Sequence, residues 1–176
     1  MKKVLLFMIF QVLLSFYSSA LAASVDVPKL EVDTENFPEK MKAVFDWSLD
    51  SPEEVPIVLI YISNYIKAYQ EYYPMAEYKI AVVSHGGEAA IFAKKNYEKF
   101  KEAVDRMKSL SESYGVKFYV CKNVVKALGF EPEDLQPFII LVPAGVLKVA
   151  ELQEKGYRLI PTVVRKLDTV KKQYGK

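Results

Sequence analysis

The stretch Lys79-Ile80-Ala81-Val82-Val83-Ser84-His85-Gly86-Gly87 decides the fold. Its apolar residues run without alternation and are β-branched at their end, and turn residues close the run. Such a stretch reads as a strand covered on both faces, the kind found in a parallel sheet. A second run, Val116-Lys117-Phe118-Tyr119-Val120-Cys121, has the same character. The first ends in the chain's one histidine and the second in its one cysteine, and Lys122-Asn123 follows the cysteine. If both strands belong to one parallel sheet, His85 and Cys121 emerge together at its carboxyl edge, where open α/β sheets bind ligands and do chemistry.

Working outward, strands and helices alternate. Met41 to Leu49 reads as a first strand, and Asp50-Ser51-Pro52-Glu53-Glu54 as a helix start, with Ser51 as cap, Pro52 in the first turn and two acids at the positive end. The helix runs to about Tyr73, before Pro74. Strand Tyr78–His85 is followed by a helical stretch from Glu88 to Tyr114, with an interruption near Asn96 and with Val104, Met107 and Leu110 at helical spacing. Strand Val116–Cys121 leads to a short helix, Val124–Leu128, stopped by Gly129. Strand Phe138–Val142, helix Val146–Lys155 opened by Gly145, and strand Tyr157–Ile160 complete the pattern. Short apolar strands separated by helices specify an α/β fold with a parallel sheet covered on both sides. The tail Thr162–Lys176 reads as a basic, solvated terminal helix.

The first helix is apolar nearly all round: Val55, Ile57, Val58, Leu59, Ile60, Ile62 and Ile66, with Tyr61, Tyr65 and Tyr69 at four-residue spacing. A helix lying on a sheet needs one apolar face. The surplus suggests a subunit interface. Cover by the amino-terminal lead-in is the alternative.

At the amino terminus, Met1-Lys2-Lys3 is a basic region, Val4 to Leu14 is apolar, and Ala20-Leu21-Ala22 is a small-x-small site. These are the parts of a secretory signal peptide over residues 1–22, not a retained membrane anchor. Residues 23–40, acidic and broken by Pro28 and Pro38, form an extended lead-in to a domain over 41–161. Cleavage takes the basic count from 24 to 22 against 22 acidic residues. The near-neutral mature chain gives no sign of a nucleic-acid or anionic-lipid partner. The expected location is periplasmic or secreted. There the lone Cys121 has no partner in its own chain for a disulfide.

A lone exported cysteine is a reactive thiol, an intermolecular bridge or a small buried hydrophobe. Asn123 as cap of a helix beginning at Val124 would set the sulfur beside free N–H groups, and Lys122 adds a positive charge. Both favour thiolate. A buried structural cysteine remains the alternative. His85 beside a thiolate is a candidate base, acid or ion-pair partner; a hydrogen-bonded structural histidine is the other reading. Pro143-Ala144-Gly145-Val146 places backbone N–H groups at the same edge. One histidine and one cysteine do not make a metal site, and no haem motif or Gly-rich phosphate loop is present. No cofactor is expected.

Four pieces in order — Ile80 to Gly86, Gly115 to Asn123, Val142-Pro143-Ala144-Gly145-Val146, and Leu152-Gln153-Glu154-Lys155-Gly156-Tyr157 — resemble the DsrE/DsrF-like sulfur-relay family, over about Lys42 to Pro161. The resemblance implies a three-layer α/β/α sandwich with a mainly parallel, about five-stranded sheet. It implies a homo-oligomer, a trimer or hexamer. It also implies a cysteine that carries sulfane sulfur as a persulfide to or from a partner protein or small sulfur compound. The matching position is Cys121, with His85, Lys122, Asn123, Gly86 and Gly145 around it. The sulfur-relay members act in the cytoplasm, whereas this chain carries the signs of export. The rival expectation is a non-catalytic oligomeric binding module whose cysteine is inert. A Cys–His hydrolase lacks any evident third group.

Overall fold

The computed structural model describes residues 31–34, 38, 40–164 and 167–175. The expected signal peptide lies outside the described residues, as does most of the 23–40 lead-in. Everything below concerns the compact unit Thr34–Lys176.

Five strands form one sheet in the order β4-β3-β2-β1-β5, and every neighbouring pair is parallel. They are β1 (Lys40–Trp47), β2 (Glu77–Ser84), β3 (Lys117–Cys121), β4 (Ile139–Val142) and β5 (Arg158–Pro161). Between them run α1 (Val55–Tyr72), α2 (Tyr97–Tyr114), α3 (Lys122–Ala127) and α4 (Gly145–Glu154), and α5 (Leu167–Tyr174) follows. The fold is the expected α/β sandwich.

Period-two alternation divides the strand side chains between two cores. Ala43, Phe45, Trp47, Ile80, Val82, Phe118 and Val120 pack with α1, α2 and α3. Val44, Ala81 and Val83 pack with Val149 and Leu152 of α4 on the other face. Crossover handedness explains this split. The chain steps one way through β1, β2, β3 and β4, then returns past all of them to β5. Right-handed crossovers require helices on one face for the outward steps and on the opposite face for the return. The chain therefore leaves β3 toward one face and β4 toward the other, which makes their carboxyl ends the topological switch point, the place where open α/β sheets bind ligands. Cys121 and Val142 are register partners there.

The break expected near Asn96 is present. Two 3-10 segments, Gly87–Phe92 and Lys94–Asn96, precede α2, and Gly115 ends that helix in the left-handed region at φ 67. The Ser51 cap is not formed: Ser51 makes no side-chain cap bond, and Glu54 instead accepts from the Asp50 N–H at 3.0 Å. The tyrosines of α1 face their own chain. Tyr65 stacks edge-on to Phe45, Tyr61 donates to the Val163 carbonyl, and Tyr69 packs on Tyr78. Ile60, 47% exposed, keeps apolar surface on the outer side of this helix. Among the described residues no helix is long and apolar enough to cross a membrane.

Candidate functional site

β2 and β3 run in register from Ala81↔Lys117 to Ser84↔Val120, so the next residues, His85 and Cys121, stand level at the carboxyl edge. Alternation gives both to the α4 face, with Asp46 of β1. The His85 N–H donates to the Trp47 carbonyl at 2.9 Å, which extends the β1–β2 ladder by one bond. The imidazole Nε2 lies 2.7 Å from Asp46 Oδ1, with the two side chains 16% and 32% exposed. This hydrogen bond holds the imidazole above its ordinary range, against the opposing effect of burial, and the Asp46 and Glu88 charges add to it. His85 therefore turns toward β1, on the side away from β3.

Gly145, the first residue of α4, packs directly on His85. A Cβ there would stand 2.5 Å from His85 Cβ and 2.9 Å from Cγ. Only glycine lets the helix start this close. Gly86 has a packing role as well, because a Cβ on it would collide with the Leu49 carbonyl and the Glu88 carboxylate.

Cys121 is a free thiol, 5% exposed. It is the last residue of β3 and stands at the N-cap position of α3, which begins at Lys122. The expected Asn123 cap is corrected here: Asn123 lies inside the helix and makes no capping bond, because strand passes into helix with no intervening residue. Lys122 and Asn123 are both exposed. Among the described residues no hydrogen bond joins Cys121 to His85, so register brings the two together without a direct bond. The half-buried cation on this face is Lys148 of α4, whose Nζ lies 4.5 Å from the Tyr119 ring centroid and 3.0 Å from Glu151 Oε2. Tyr119 precedes Cys121 by two residues, on the same face of β3.

Three residues of this edge escaped the sequence reading: Asp46, Glu88 and Lys148. Asp46 looks like an ordinary polar residue of a first strand until the β1–β2 register is known. Glu88 had one local signal, its four-residue spacing from Ser84 across a glycine turn, as expected of a carboxylate folding back on a strand end. Lys148 had none.

Arranged this way, the edge offers one shielded thiol and one imidazole biased toward its cation, beside the switch point between β3 and β4. That set suits thiolate chemistry on a small anionic or polarisable group. A model of the DsrE/DsrF-like family matches residues 57–161. The fold is similar to that of a protein of unknown function from Methanobacterium thermoautotrophicum, with TM-score 0.54 and 22% identity, over 69% of this chain and 99% of that one. At that identity the likeness concerns the fold alone. No curated protein matches the chain. The family match spans more than half of the 176 residues and takes in His85, Cys121 and Gly145, and the chain belongs to the DsrE/DsrF-like family.

Proposed function

We propose that Cys121 is a sulfur carrier, taking a sulfane sulfur from a donor, holding it as a persulfide and passing it on. The observation that carries this reading is the position of the chain's one thiol at the carboxyl end of β3, beside the β3–β4 switch point and level with an imidazole that Asp46 biases toward its cation. Membership of a family associated with sulfur relay supports it.

With thiosulfate as donor the step balances without an external oxidant. The Cys121 thiolate attacks the outer sulfur, the sulfur–sulfur bond of thiosulfate breaks, and sulfite leaves with the electron pair. Cys121 is left as a persulfide anion. A cationic His85 at the same edge complements the negative charge that thiosulfate brings and that the persulfide keeps. Low exposure suits a carrier, since bulk thiols that would strip the sulfur are kept off. In this reading the protein works after export, as a homo-oligomer of three or six copies, and hands its sulfur to a protein or small acceptor.

The covered, unbonded thiol also favours one other reading, a binding module with an inert cysteine. Intact-mass analysis after incubation with thiosulfate or polysulfide separates the two. Sulfur transfer predicts a gain of about 32 Da on the wild type and none on Cys121→Ser. No gain on wild type, or an equal gain on the variant, overturns the proposal.

A further inference from the structure

Glu88 is fully buried, and Ser84 is the other buried polar residue among those described. No cation pairs with it in any ion pair of the described residues. A buried carboxylate without a counter-ion is costly unless hydrogen bonds replace its lost water. Here they do. Oε1 accepts from Ser84 Oγ at 2.7 Å and from the Gly86 N–H at 3.1 Å, and Oε2 accepts from the Leu49 N–H at 2.8 Å. Both oxygens face donors, the pattern of an acceptor-only ionised carboxylate.

The donors are not scattered. Ser84 and Gly86 flank His85 in the chain, and Leu49 lies three residues beyond Asp46. Two backbone bonds complete the tie, from His85 N–H to Trp47 O at 2.9 Å and from Gly87 N–H to Leu49 O at 2.8 Å. Glu88 thus grips both sides of the strand end that presents His85 and the strand end that presents Asp46.

We propose that Glu88 is a positioning residue of this site: its ionised, buried carboxylate clamps the carboxyl ends of β1 and β2 and so fixes His85 against Asp46. A glutamine would fit the space, but its amide nitrogen cannot accept, so it could hold only one of the two strand ends. The carboxylate also acts on His85 through its field, adding to the effect of the Asp46 bond. The charged groups acting on His85 are Asp46 from β1 and Glu88 from the 3-10 segment, while α4 presents the uncharged Gly145. The proposal takes its purpose from the sulfur-carrier reading, but its test does not depend on sulfur chemistry.

With one histidine in the chain, the His85 ring signals are unambiguous in a proton–carbon NMR titration of the full-length protein. Glu88→Gln should stay folded, titrate His85 at lower pH than wild type, and lose a slowly exchanging Nε2–H signal from the Asp46 bond. Ser84→Ala removes a donor but keeps the charge, and should leave the His85 midpoint close to wild type. A folded Glu88→Gln with a wild-type His85 titration overturns the proposal, as does an equal fall in both variants. If Glu88→Gln does not fold, the wild-type amide protons of Leu49 and Gly86 answer instead. Both should exchange slowly with solvent because the carboxylate holds them, and exchange as fast as in an open loop overturns the clamp. Failure of sulfur loading with this coupling intact would count against the carrier reading alone.

Discussion

Breaking the Asp46–His85 pair should cost stability at acid pH and little at alkaline pH. At 2.7 Å, with the imidazole 16% and the carboxylate 32% exposed, the pair lies between a buried charged hydrogen bond and a surface ion pair. The first kind contributes roughly 1.5–3 kcal/mol and the second roughly 0.2–1 kcal/mol. Solvent screening at the one-third-exposed carboxylate draws the expected coupling down to about 1 kcal/mol. The sign follows from the raised folded value. The imidazole holds its proton more tightly folded than unfolded, so the stabilisation is complete below the ordinary value of 6.5 and fades as pH rises through the higher folded value. The assay is a double-mutant cycle of Asp46→Asn and His85→Gln, with urea unfolding of all four proteins at about pH 5.5 and about pH 9. The coupling should be about 1 kcal/mol at the lower pH and less than half of that at the higher. A coupling equal at both pH values, or absent at the lower, would refute the reasoning.

Two further substitutions probe what surrounds the pair. Gly145→Ala places a methyl group 2.5 Å from His85 Cβ, so overpacking should destabilise the protein by about 1–3 kcal/mol and shift the His85 ring resonances. Wild-type stability would mean that α4 does not press on His85. Phe118→Ala removes a fully buried ring from between Trp47, Phe92 and Phe138, whose centroids lie 5.9–6.4 Å away. The expected loss in urea unfolding is about 3–5 kcal/mol, and a loss below about 1 kcal/mol would place that cluster outside the core.

What the sequence made legible was whatever depends on one segment at a time. The apolar runs at Ile80 to Val83 and Phe118 to Val120 announce buried strands by their own composition, and β2 and β3 are where they were expected. The break before α2 was visible because Asn96 interrupts helical spacing, and Gly145 was visible as a helix opener. The hidden parts depend on register between segments. Asp46 reaches His85 because Trp47 pairs with Ser84, a pairing that no local pattern specifies. Tyr61 of α1 donates to the Val163 carbonyl, about a hundred residues away in sequence, a contact that the pattern of the helix alone does not announce. Asn123 misled for a more local reason. A side chain suited to capping is not needed where a strand residue, Cys121, itself stands at the helix start.

In the proposed reading, Cys121 reacts under the control of the Asp46–His85 pair. The most direct test is the alkylation rate of this single thiol by iodoacetamide, followed by mass in the folded protein across pH, for wild type and Asp46→Asn. Native-state reaction should be measurable, with an inflection that tracks the His85 titration and moves to lower pH in Asp46→Asn. A thiol that stays unmodified until the protein is unfolded, or a rate profile identical in the two proteins, would contradict it.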